Sequence, residues 1–239
     1  MKLLEAQAEA WGVHLGEGQL IGLLEYSRLL ASYDRANVIG TRDLERVVLD
    51  HVLDSLSCFL HAPLWKAGRL ADVGSGGGLP GIPLSVIRPD LRTTLIESTG
   101  KKADFLRYAA ERLGLENLDV VNARVEDVGR MVDQRGAYEI VTSRAVARLS
   151  VLAEYCVPLL EIGGNAVAMK ARVERDEYEE GRRAADELGA RVARIDRVAM
   201  LPEAGEKQRN LVILEKERET PARYPRRAGV VAKRPLGVG

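Results

Sequence analysis

The sequence predicts an α/β fold, a parallel sheet with helices on both faces, entered through a helical N-terminal segment. Three observations carry that expectation. Apolar residues over the first 60 positions recur at spacings near 3.6, the period of an amphipathic helix. From Arg69 the pattern changes to short apolar runs separated by helix-length stretches. The first of those runs ends in a glycine-rich turn, Asp72-Val73-Gly74-Ser75-Gly76-Gly77-Gly78.

In chain order, Leu20, Leu23, Leu24, Leu29 and Leu30, then Leu44, Val47, Val48, Val52, Leu53 and Leu56, place helices over residues 1–60. Strands are expected at Leu70–Val73, Thr93–Ile96, Leu118–Val121, Ile140–Thr142 and Ala166–Met169, with helices between them. A charged helical stretch follows Lys170 to about Leu188, and two more apolar runs, Val192–Met200 and Leu211–Leu214, can extend the same sheet. The expected division is a helical extension over 1–66, a sheet domain over 67–219 and a basic tail over 220–239 packed on or near it. That tail carries Arg223, Arg226, Arg227, Lys233 and Arg234 with no acid.

Composition bounds the function. Lys and Arg number 35, Asp and Glu also 35, so the chain is not a polybasic binder that grips nucleic acid over its whole surface, although a local basic patch is open to it. The longest uncharged run, Val73–Ile87, has 15 residues, five of them glycine, against the roughly 20 apolar residues of a membrane span. Glu5 and Glu9 fall where the apolar part of an export signal would lie. Two cysteines, Cys58 and Cys156, are then expected as reduced thiols in a cytoplasmic protein.

The glycine turn is built to bring backbone close to a ligand, and Pro80 and Pro83 suit the first turn of the helix that follows. The frame Gly76, Gly78 and Gly81 also satisfies the dinucleotide fingerprint, so an NAD-dependent dehydrogenase has to be weighed. Asp72 is expected to discriminate: a carboxylate ahead of the glycines suits the ammonium and sulfonium of S-adenosylmethionine better than a pyrophosphate. Glu97, ending the next strand, is placed to accept ribose hydroxyls of either cofactor.

At these residues the sequence resembles the RsmG (GidB) family of bacterial 16S ribosomal RNA guanine-N7 methyltransferases. The resemblance runs through His51 to Leu56, Asp72 to Leu84, Lys101-Lys102, Arg124-Val125-Glu126, Thr142 to Ala147, Met169-Lys170, Arg209 to Val212 and Tyr224 to Arg227. Departures are Asn37-Val38-Ile39-Gly40-Thr41 in place of an Asn-Leu-Thr, and Asn210 where a His is common. The resemblance implies a Rossmann-like class I methyltransferase fold with a mostly parallel seven-stranded sheet, S-adenosylmethionine as cofactor and 16S rRNA, within the small subunit, as partner. It implies cofactor positions at Gly74, Leu79, Glu97, Ser98, Thr99, Val125, Glu126 and Arg144, and a monomer. A small-molecule methyltransferase and a non-catalytic RNA-binding factor are the other readings.

Ring nitrogen 7 of guanine carries no proton at neutral pH, so no general base is required, and holding the reactants in line is the main task. The end of the fourth strand reads Ser143-Arg144-Ala145 and lacks the Asn-Pro-Pro-Tyr type of segment used for amino methylation. Arg144 is expected to orient the cofactor or a neighbouring group, or else to form a structural ion pair. Arg226, Arg227, Lys233 and Arg234 are expected to hold RNA phosphates, and Lys101 and Lys102 either do so or form a solvated face. His51, Asp54, Cys58 and His61 share a helical spacing, but without a second ligand module they are expected to hold no metal.

Overall fold

The computed structural model describes residues 1–202 and 208–238. Helices α1 (Lys2–Ala10) and α2 (Glu17–Ser32) open the chain. Two short helices, α3 (Leu44–Val47) and α4 (Leu53–Leu56), are joined by a π-helical turn, Val48–Val52. On α2, Leu23, Tyr26, Ser27 and Leu30 are buried at the i, i+3, i+4, i+7 positions that put them on one face. The Asp43 carboxylate caps α3 by accepting from the backbone N–H groups of Glu45 and Arg46.

Seven strands follow, β1 (Arg69–Val73), β2 (Arg92–Ile96), β3 (Leu118–Val121), β4 (Tyr138–Arg144), β5 (Leu160–Lys170), β6 (Ala190–Arg197) and β7 (Asn210–Lys216). They form one sheet in the order β3-β2-β1-β4-β5-β7-β6. All pairings from β3 to β5 are parallel, while β7 runs antiparallel to both β5 and β6. The connecting helices are α5 (Gly81–Ile87), α6 (Gly100–Leu113), α7 (Val125–Val128), α8 (Leu149–Cys156) and α9 (Arg175–Leu188), with a last short helix, α10 (Val230–Lys233).

The central strands β1, β4, β5 and β7 are buried on both faces over most of their length, which is why they read as apolar runs rather than alternating ones, whereas the edge strands β3 and β6 are half-exposed. Leu70, Ile140, Val167, Leu211 and Ile213 point into a core shared with α1 to α6. Their neighbours Ala71, Val141, Ala166, Ala168, Val212 and Leu214 point into a second core beneath α8 and α9. The N-terminal helices therefore share one core with the sheet.

All seven expected strands are present, β3 with the expected ends and the others with different ones. β5 begins at Leu160, six residues before its apolar run, because Glu161 to Asn165, of which Glu161, Ile162 and Gly163 are exposed, continue the strand ahead of that run. β6 covers Ala190–Arg197 and stops short of Met200.

Candidate active site

Three loops meet along the C-terminal edge of the sheet. The glycine turn after β1 is tied to β2 by the Gly74 and Ser75 N–H groups, which both donate to the Ile96 carbonyl at 2.9 and 3.2 Å. β2 is tied to β3 in turn, since the Glu97 N–H donates to the Val121 carbonyl at 3.1 Å. The Glu97 carboxylate is buried, accepting from the Gly76 N–H at 2.9 Å and the Thr99 N–H at 2.7 Å. It holds two loops at fixed separation, with Ser98 and Thr99 exposed beside it.

Gly74, Gly76 and Gly78 have φ of +69°, +58° and +92°, the left-handed region that a Cβ disfavours. A Cβ on Gly74 would also lie 2.7 Å from a methyl of Val146, in the loop after β4. From below, the Tyr26 hydroxyl donates to the Gly77 carbonyl at 2.6 Å, so α2 fixes the turn. Leu79 is buried in the core shared with the N-terminal helices, which leaves its backbone as the part the turn presents.

Asp72 lies elsewhere than expected. Its carboxylate is fully buried beneath the turn, accepting from the Thr142 hydroxyl at 2.9 Å and the Gly81 N–H at 3.3 Å. It faces those two groups rather than the mouth of the turn, because Gly81 leaves just enough space for it. Burial pushes its carboxyl up from the usual 3.8 to about 6. With the folded value raised, both states are neutral below the unfolded value, and the folded state loses stability as pH rises through about 6. Chemical denaturation of wild type and Asp72→Asn between pH 4 and 7 should show wild type losing ground to the variant as pH rises; a constant difference would refute the effect.

Arg144 reaches across from the end of β4 into an acidic and basic cluster. It donates to Asp54 Oδ2 at 3.2 Å and approaches His51 Nδ1 at 3.3 Å, while Arg209 Nε donates to Asp54 Oδ1 at 2.6 Å. The π-helical turn places Asp50 and His51 beside this cluster, a use of a widened turn common at functional sites. The cluster walls a cavity of about 860 Å³ completed by Ser57, Met169, Lys170, Arg172 and Asn210 among others. Lys170 Nζ donates to the Ala147 carbonyl at 3.0 Å and pairs with Glu177 at 2.6 Å, which tethers the loop after β4. Ala145 in that loop has φ +55°, so the chain turns sharply between cavity and glycine turn.

Of the expected cofactor positions, Gly74, Glu97, Ser98, Thr99 and Arg144 line this sheet edge, and Val125 and Glu126 open α7 just beyond β3. Glu126 is buried and accepts from the Gly229 N–H at 3.2 Å. Arg226 departs from its expected part: its guanidinium and backbone N–H all bind the fully buried Glu154 carboxylate, so its charge is spent inside the protein. Arg227, Lys233 and Arg234 are exposed, as is Lys101, with Lys102 half-buried. Cys58 is buried, its thiol pushed well above the usual range, and His61 Nδ1 accepts from Arg194 at 2.9 Å, so the helical histidine and cysteine set points in several directions. Burial pushes the Cys156 thiol up to about 12.

Lys170 and Arg209 were not expected at the site. Their meeting follows from β7 running antiparallel to β5, which pairs Lys170 with Asn210 and sets the end of one strand beside the start of the other.

The rRNA small subunit methyltransferase G family, GidB, matches residues 19–212 of this chain. The chain belongs to this family. It is 62% identical over 234 residues to the ribosomal RNA small subunit methyltransferase G of Rubrobacter xylanophilus, covering 98% of this chain and 90% of that one. To the protein of the same name from a Roseiflexus species it is 42% identical, over 99% of this chain and 100% of that one. Among solved structures it is similar in fold to a branched-chain polyamine synthase from Thermus thermophilus, with a TM-score of 0.59 at 15% identity over 84% of this chain and 64% of that chain. An S-adenosylmethionine-dependent methyltransferase, SibL, aligns with a TM-score of 0.52 at 15% identity over 82% and 70%. Membership removes the dehydrogenase alternative, although the glycine spacing alone satisfies both fingerprints. Among the described residues no helix is long and apolar enough to cross a membrane.

Proposed function

We propose that this chain transfers a methyl group from S-adenosylmethionine to ring nitrogen 7 of a guanine in 16S rRNA of the small ribosomal subunit, in the cytoplasm and as a monomer. The observation that carries the reading is the adjacency of the glycine turn and the Arg144 cavity, with only the Ala145–Ala147 loop between them. The cradle fits the cofactor: Gly74 and Gly76 present backbone without side chains, and Glu97 sits one loop away where ribose hydroxyls can donate to it. When bound, S-adenosylmethionine supplies an electrophilic methyl carbon on a positively charged sulfur.

The chain's residues then orient and exclude rather than deprotonate. Asp54 accepts from two guanidinium groups and holds both against the cavity wall. Arg144 is turned toward Asp54 and His51, so its donors leave a nucleophilic lone pair in the cavity unblocked. Under single-turnover conditions with saturating cofactor, the rate of methyl transfer should be nearly flat from about pH 6 to 9. A titration in that window that vanishes in a His51, Asp54 or Glu126 variant still holding cofactor would point to another acceptor atom. Labelled methyl groups, located by nuclease mapping on free 16S rRNA and on unmethylated small subunits, identify the nucleotide and the preferred substrate.

Arg227, Lys233 and Arg234 support a role in holding phosphates because they are exposed on a segment held firmly to the domain. Replacing all three by Ala should weaken RNA binding and flatten its salt dependence by roughly one unit for each phosphate no longer neutralised. An unchanged slope would take RNA away from this segment.

A further inference from the structure

Residues 220–237 cross the protein surface from the end of β7 to α9, and on the way they touch α7 at Glu126, its capping residue Gly129, and the turns that follow it at Arg130 and Arg135. Arg135 Nη1 donates to the Tyr224 carbonyl at 2.6 Å and Nη2 to the Thr220 carbonyl at 2.7 Å. Arg130 Nε donates to the Pro225 carbonyl at 2.9 Å. Gly129, the residue that ends α7, lies so close to the Pro225 ring that a Cβ there would approach it to 3.0 Å. Arg226 is then anchored on the opposite side by Glu154 of α8, through its backbone N–H at 2.7 Å and its guanidinium at 2.6 to 3.1 Å. Three residues on, the Gly229 N–H reaches Glu126 Oε1. Val231 is buried, and the Gly237 carbonyl accepts from Arg183 of α9 at 2.7 Å.

We propose that this segment is a strap that positions α7, with Arg226 as its positioning residue, so that Glu126 is held where the cofactor's adenine lies. The inference rests on the reading that Val125 and Glu126 border that adenine. α7 has only four residues, too few to be stable without outside contacts. Its one buried carboxylate needs a donor to be satisfied, and the strap supplies the Gly229 N–H. The strap supplies that donor at the correct height only if Pro225 and Gly229 are both fixed. The Arg226–Glu154 pair lies between those two points and fixes both. The expectation that Arg226 serves RNA is thereby replaced by a role inside the protein.

The test measures S-adenosylhomocysteine affinity and steady-state kinetics in the full chain. Arg226→Ala leaves the Glu154 carboxylate buried without its partner, so its folding is checked by thermal denaturation. Gly129→Ala with Arg130→Ala provides a second route. Gly129 has φ −65°, which any residue adopts, and the added methyl pushes Pro225 away while Arg130, exposed, gives up its bond. Both variants should weaken the cofactor analogue roughly tenfold and raise KM for S-adenosylmethionine by the same factor, with kcat at saturation within about twofold of wild type. Arg226→Lys, which keeps a charge opposite Glu154, should restore most of the affinity. In a Glu126→Ala background the strap variants should cost nothing further, because positioning a missing carboxylate has no value. Additive losses in that background would overturn the strap's role, as would unchanged affinity in the strap variants beside a weakened Glu126→Ala. Unchanged affinity in Glu126→Ala itself would instead remove α7 from the cofactor site and take the proposal with it.

Discussion

Gly74→Val should abolish binding of S-adenosylhomocysteine while the protein remains folded. Two separate costs converge on that position. At φ +69° a β-branched residue is strained, by about 1–3 kcal/mol where the surrounding structure enforces the conformation. The new Cβ would also lie 2.7 Å from Val146, so the turn or the loop after β4 has to move. The turn is held by Tyr26 from below and by Ile96 from the side, and the loop after β4 is tied by Lys170 at Ala147, so the exposed Ala145 and Val146 are the part that yields. Its displacement disturbs the wall between the glycine turn and the Arg144 cavity. Gly74 is exposed and belongs to neither hydrophobic core, so the melting transition should drop by only a few degrees. Gly74→Ala should show an intermediate loss of affinity. Wild-type affinity in the Val variant would remove the turn from the cofactor site.

The sheet was open to sequence reading because burial on both faces writes its central strands as compact apolar runs, and the glycine turn marked which strand comes first. Strand ends were less legible. Glu161 to Asn165 belong to β5, but their one apolar side chain, Ile162, is exposed and the pairing with β4 shifts register there, so no apolar run announces them. Asp72 shows a different limit. Its position in sequence is the same whether the carboxylate faces a ligand or the space left by Gly81, and only the packing of Thr142 against it decides.

Charge was the least legible property. Arg226 and Arg227 are neighbours in an acid-free segment, yet one is bound by a carboxylate 72 residues earlier in the chain and the other faces solvent. Composition cannot separate them, because the partner lies on α8. Lys170 and Arg209 were hidden for a related reason. They become neighbours only when β7 is known to return antiparallel to β5, a reversal that the apolar pattern of Leu211–Leu214 does not encode.

Asp54→Ala should be the most damaging single change in the cavity. The carboxylate is the shared acceptor of Arg144 and Arg209, and all three side chains are largely withdrawn from solvent, with 16%, 16% and 10% of the Asp54, Arg144 and Arg209 side-chain surface exposed. Removing the acid takes away the acceptor that Arg144 and Arg209 share, in a cavity whose wall also carries Lys170 and Arg172. Loss of one partner from a buried charged cluster costs about 3 kcal/mol, and partial exposure here places the effect at or below that figure. Arg144 would then turn away from Asp54's place toward whatever acceptor the cavity offers, including an incoming nucleotide. A misplaced donor near ring nitrogen 7 competes for the lone pair that has to attack. Methyl transfer at saturating cofactor should therefore fall by roughly a hundredfold, the rate equivalent of about 3 kcal/mol. S-adenosylhomocysteine affinity should change far less, since Gly74 and Glu97 keep their own partners. Asp54→Asn separates the two causes: it retains an acceptor for one guanidinium but not the charge, so it should fold better than the Ala variant and remain slow. Near-normal turnover in Asp54→Asn would show that geometry alone matters at this position. Near-normal turnover in Asp54→Ala would remove the cluster from the reaction.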